Sequence, residues 1–105
     1  MVFVCVLAHT PEWFFVCEWD ARVAGTILVG FDGTRGWVQK VAAHPDLQRR
    51  GVARALMATA EDTLRSAGCP KLNLQVRAGN DSAIAFYKAA GYAEEDRVSM
   101  GKLLV

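Results

Sequence analysis

The chain has 105 residues, enough for one domain that buries about two-thirds of its unfolded surface. Apolar residues at 52% and charged residues at 22% mark an ordinary soluble globular mix. A net charge of +1 excludes the global basic signal of a nucleic-acid binder, and no apolar run reaches the ~18 residues of a membrane span.

Met1 to Ala8 is apolar and open to two readings, a strand (Val2, Val4, Val6) or the tail of a helix. No basic segment precedes it and no small-residue cleavage site follows, so it is not read as a signal peptide. Three cysteines, Cys5, Cys17 and Cys69, make an odd count without a C-x-x-C pair. Neither a disulfide framework nor a metal site is expected from them; thiols in a reducing cytoplasm are.

His9 to Glu12 is a break around Pro11. Trp13 to Trp19 and Val23 to Phe31 are rich in aromatic and β-branched residues and read as a hairpin turning at Asp20–Arg22. Gly25 marks a bulge or a close approach. Asp32–Gly33 is a further turn, and Trp37 to Ala43 is the third strand of the meander.

Pro45 ends that strand, and Gly51 opens a run of helical period. Val52, Leu56, Ala60, Leu64 and Ala67 share one face; Arg54, Glu61, Asp62 and Arg65 share the other. Gly68 and Pro70 stop it. A strand, a glycine turn and a helix N-terminus form an anion site, because the first helical N–H groups lack partners and the macrodipole is positive there. Gly51 has no Cβ to block a ligand, Ala53 is the next smallest choice, and Arg49 and Arg50 add charge.

Lys71 to Arg77 alternates as a half-buried strand, with Leu72, Leu74 and Val76 on one face. Gly79 to Ser82 is a turn and cap, Ala83 to Ala90 a second helix, and Tyr92 to Val105 an acidic tract followed by residues of strand character. Strand, strand, strand, helix, strand, helix, strand makes a mixed α/β domain spanning 1–105.

Two motifs carry a resemblance. Gln48-x-x-Gly51-x-Ala53, placed after Val41-Ala42-Ala43-His44-Pro45, resembles the pyrophosphate loop of the GCN5-related N-acetyltransferase (GNAT) superfamily. Asn80-Asp81-Ser82-Ala83, then Phe86-Tyr87 and Gly91-Tyr92, resembles its C-terminal motif. The run from Cys69 to Arg77 is similar to a bacterial branch that includes ribosomal-protein alanine acetyltransferases. The resemblance implies a GNAT-type, mostly antiparallel mixed sheet flanked by helices, lacking most of the N-terminal helical part. It also implies acetyl-CoA as co-substrate, an amine of a small molecule or peptide N-terminus as acceptor, and direct attack without a metal.

Residue by residue, the resemblance implies that the strand ending at Ala43 splays from the one starting near Lys71, and it gives Val41, Ala42 and Ala43 to the pantetheine arm. Gln48, Arg49, Arg50, Gly51, Val52 and Ala53 fall to the pyrophosphate, and Asn80 to the pantetheine arm again. Tyr87 becomes the general acid that meets the departing thiolate; its phenol is protonated at pH 7. A backbone N–H of the third strand polarises the thioester carbonyl. Read without the family, Tyr87 is a core aromatic, Asn80 an N-cap and His44 a surface residue. Two departures stand out. The helices that build much of the acceptor pocket are missing, and Trp37 to Lys40 carry no carboxylate where many members place a base. Glu18, Asp32 or Glu94 acting through water is the alternative. A non-catalytic CoA-binding module or interaction subunit is the competing reading. The apolar N-terminus and the aromatic hairpin predict a homodimer.

Overall fold

The computed structural model describes residues 3–9, 13–47 and 51–105. They divide into two compact units, Met1–Gln75 and Val76–Val105.

The first unit is a five-stranded sheet in the order β1 (Val4–His9), β2 (Trp13–Trp19), β3 (Arg22–Phe31), β4 (Gly36–Ala43), β5 (Leu72–Asn73). β1 to β4 are antiparallel neighbours, and β5 joins β4 in parallel. The mixed, mostly antiparallel sheet is therefore the expected one. Of the two readings of the N-terminal run, the strand is the one found. Of the break expected over His9–Glu12, His9 is instead the last residue of β1, and residues 10–12 lie outside the described residues.

β2 and β3 turn through Asp20 and Ala21, both at positive φ (52° and 60°). A two-residue turn of that hand matches the right-handed twist of the strands it joins. The second hairpin turn is held by Asp32. Its Oδ1 accepts from the N–H of Thr34 and Arg35 (2.8 and 2.9 Å) and from the Thr34 hydroxyl (2.8 Å).

Helix α1 (Val52–Ser66) lies on one face of this sheet. Its apolar stripe is buried as predicted at Val52, Leu56, Ala60 and Leu64, with Met57 added, while Ala67 is exposed. Opposite are Cys17, Ile27, Val29 and Val38. Gly25 and Gly36 let the helix come this close. A Cβ on Gly25 would lie 2.6 Å from the Ala42 carbonyl and 3.0 Å from Leu56, and one on Gly36 2.5 Å from Leu64. Gly25 also sits beside the register shift opposite Cys17/Glu18, so it serves both roles foreseen for it. Leu56 is fully buried, and truncating such a leucine to alanine costs about 2–5 kcal/mol, much of a small domain's stability.

Three expectations need correction. Cys5 and Cys17 form a disulfide, because the β1–β2 register sets them directly opposite with Cα atoms 3.9 Å apart. The strand expected over Lys71–Arg77 is only Leu72–Asn73. Residues 93–105 form no strand, and Val98, Met100, Leu103 and Leu104 are exposed.

The second unit contains helix α2 (Asp81–Ala89), two residues earlier at its start than the periodicity predicted. No helix among the described residues is long and apolar enough to cross a membrane.

Candidate functional site

β5 pairs only with the first two residues of β4, Gly36 with Leu72 and Trp37 with Asn73. From Val38 to Ala43 the same side of β4 has no strand beside it among the described residues, while its other side stays on β3 as far as Ala43. The splay expected between these strands is thus present, and it leaves an open edge of backbone amides.

Which amides face that edge follows from the bonds at each end of β4. Gly36 N–H donates to the Lys71 carbonyl (2.7 Å), on the β5 side. His44 N–H donates to the Ala24 carbonyl (2.7 Å), on the β3 side. In a strand these directions alternate residue by residue. Counting forward from Gly36, even residues face outward; counting back from His44, odd residues do. The parity changes inside the strand, so β4 holds an extra residue. The register locates it: Gln39 pairs with Leu28 and Ala42 with Thr26, leaving Lys40 and Val41 opposite Ile27 alone. Lys40 adopts φ 53°, the left-handed conformation of one common bulge type. Past this bulge Val41 and Ala43 present their amides to the open edge.

A short 3-10 turn, Pro45–Leu47, follows, anchored by buried Leu47. His44 Nδ1 accepts the Asp46 N–H (3.1 Å), which makes the imidazole part of the turn. Gln48, Arg49 and Arg50 lie outside the described residues. Gly51 follows as the N-cap of α1 at φ 90°, a conformation that favours glycine. Among the described residues no side chain caps this end, and the first turn carries no acidic residue. The N–H groups of Val52 and Ala53 are among the donors of that turn that have no intrahelical partner. The sequence thus supplies an anion-binding helix end and no competing carboxylate of its own in that turn.

In the second unit Asn80 is the N-cap of α2. Its side-chain oxygen accepts from the Ala83 N–H and the Ser82 hydroxyl, both at 3.3 Å. Tyr87 is half-buried, edge-on to Phe86 (5.1 Å between ring centroids) and to Tyr92 (5.8 Å). Burial pushes its phenol above the ordinary value of 10.0, so the proton is held more firmly.

Of the three carboxylates considered as bases, Asp32 and Glu94 are otherwise engaged. The N–H groups of Arg35 and Thr34 and the Thr34 hydroxyl hold Asp32 well below the usual carboxylate range. Lys88 pairs with Glu94 at 2.9 Å and lowers its pKa. Glu18 is exposed on β2.

Sequence reasoning missed Thr26, whose hydroxyl donates to the Lys40 carbonyl (3.4 Å), and missed the bulge itself. A lysine at positive φ gives no sequence signal. A threonine in a strand is expected for its β-propensity alone.

Comparison with known proteins gives this geometry its context. The model of the acetyltransferase (GNAT) family matches residues 3–92. An acetyltransferase of Yersinia enterocolitica is 40% identical over 99 residues, 94% of this chain and 70% of the relative. The ribosomal-protein-S18-alanine N-acetyltransferase of Escherichia coli is 30% identical, with a TM-score of 0.75 over 84% of this chain and 57% of that one. AAC(6')-Iy, solved with a CoA-containing bisubstrate analogue, has a TM-score of 0.80 over 92% of this chain and 72% of that one; at 17% identity the likeness is one of fold. Matched over most of its length and sharing this much sequence with an acetyltransferase, the chain belongs to the GNAT family and is an acetyl-transferring enzyme.

Proposed function

We propose that the chain moves acetyl from acetyl-CoA to an amine of a small molecule or a peptide N-terminus by direct attack. The observation that carries this reading is the open edge of β4 running toward an uncapped helix N-terminus. An extended pantetheine arm adds to such an edge as a strand would, its amides pairing with the Val41 carbonyl and with Ala43, which leaves the Val41 N–H for the acetyl group. The pyrophosphate then falls at Gly51, Val52 and Ala53, with Gln48, Arg49 and Arg50 preceding them. Acetyl-CoA is the co-substrate of this chemistry.

The neutral acceptor amine attacks the thioester carbon, and the carbonyl oxygen becomes an oxyanion. Val41 N–H, at the bulge, stabilises it. Collapse breaks the C–S bond, and Tyr87 protonates the departing thiolate. The amine's surplus proton leaves to solvent, and solvent reprotonates Tyr87. Asn80 caps α2 with its side-chain oxygen, and its NH2 group donates to the pantetheine arm. Asn80 and Tyr87 are assigned by the motif they match, and the whole chain, 1–105, is taken as one domain. We further place it in the cytoplasm as a homodimer, without nucleic-acid or membrane partners.

A second reading, a CoA-binding module without turnover, is favoured by the missing base: β4 has no carboxylate, and Asp32 and Glu94 are engaged. One assay separates the two. Acetyl-CoA is offered with free amines, aminoglycosides and peptides with free N-termini, and thiol release is followed. Acceptor-dependent release is expected. Acetyl-CoA binding with no release from any acceptor supports the module instead.

A further inference from the structure

An ordinary strand residue points its N–H and C=O to the same side. Lys40 does not, because its φ of 53° turns the chain between the two groups. A non-glycine residue in that region persists only where its surroundings hold it. One such hold is the Thr26 hydroxyl, which donates to the Lys40 carbonyl at 3.4 Å. Thr26 stands on β3 opposite Ala42, the first paired residue after the bulge.

The carbonyl of Lys40 and the N–H of Val41 belong to one peptide unit. That unit is planar and trans, so its C=O and N–H point in opposite directions. Holding the carbonyl toward β3 therefore turns the Val41 N–H toward the open edge. The hydrogen-bond parity at His44 gives the same direction independently. We propose that Thr26 is a positioning residue for the thioester. Through the Lys40 carbonyl it aims the Val41 N–H at the acetyl carbonyl oxygen, without touching the ligand itself. This inference rests on the acetyl-CoA reading above.

Because Thr26 acts on one amide, it alters the acetyl carbonyl and leaves the rest of CoA unaffected. Thr26→Val removes the donor at similar shape, Thr26→Ala removes it with less bulk, and Thr26→Ser keeps it. Each variant and the wild type are loaded with carbonyl-labelled acetyl-CoA, and the carbonyl band is read by difference infrared spectroscopy. The dissociation constant for CoA, which has no acetyl group, is measured alongside. In the wild type and Thr26→Ser the band is expected below its position in free acetyl-CoA. In Thr26→Val and Thr26→Ala it returns toward the free position, with CoA affinity kept within about twofold, a small free-energy change. A wild-type band at the free position overturns the proposal, as does the same shift in all four proteins. A loss of CoA affinity of about tenfold in both donor-less variants overturns it too, since Thr26 then acts on the site as a whole. Failure of the wild type to bind CoA or acetyl-CoA overturns the underlying reading, an outcome distinct from each of these.

Discussion

Tyr87 shows how one side chain gains a role from its setting. Half-buried between Phe86 and Tyr92, it keeps its proton beyond the ordinary 10.0 because burial disfavours the phenolate. A raised pKa in the folded state contributes stability below the unfolded value and loses it as pH rises through the folded value. Turnover that depends on the protonated phenol should therefore persist past pH 10.0 before falling. In Tyr87→Phe, kcat should drop roughly 10²-fold and that alkaline limb should vanish, with acetyl-CoA affinity unchanged. Equal rates in the two proteins, with a confirmed acceptor, would return Tyr87 to a packing role. Gly51 carries a different constraint. At φ 90° any side chain is strained, so a valine there disturbs the turn as well as the ligand's path. Gly51→Ala should lower the melting temperature, at a cost of about 1 kcal/mol, and weaken acetyl-CoA binding measured well below that temperature. Retained affinity would remove the pyrophosphate from this turn.

At the scale of elements, the tightest local conflict is the β2–β3 turn. Ala21 sits at φ 60°, where its Cβ is unfavourable, and the pair Asp-Gly is the preferred sequence for such a turn. Ala21→Gly should stabilise by about 1 kcal/mol and raise the melting temperature about 4–8 °C. A fall in melting temperature would mean that lost chain entropy outweighs the relieved strain. The same elements mark where the sequence was readable. Trp13–Trp19 is dense in aromatic and β-branched residues and the helix after Gly51 carries a strong 3.6-residue period, and both appear within a residue of expectation. The Leu72–Val76 alternation is just as regular, yet only Leu72–Asn73 pairs, because the two strands splay apart past Trp37. That splay was legible only through the family resemblance. The Lys40 bulge had no signal at all, and neither did the Cys5–Cys17 pairing. Both depend on cross-strand register, and a count of three cysteines says nothing about register.

At the scale of the whole molecule, β1 is an edge strand of its own chain, and Val4, Val6 and Leu7 on it are exposed. Trp13, Phe14, Phe15 and Trp19 on the neighbouring strand are only half-buried. An apolar edge of this kind is a template for pairing with a second copy. Light scattering of the purified chain at tens of micromolar should return the mass of a dimer; a monodisperse monomer would rule the dimer out. The central claim, however, is that this fold binds acetyl-CoA along β4 and at the start of α1. The most direct measurement is the melting temperature with and without acetyl-CoA. Ligand at about 100 times its dissociation constant adds about 2.7 kcal/mol, a rise on the order of 10 °C for a chain of this size. An unchanged melting temperature at millimolar acetyl-CoA would contradict the account.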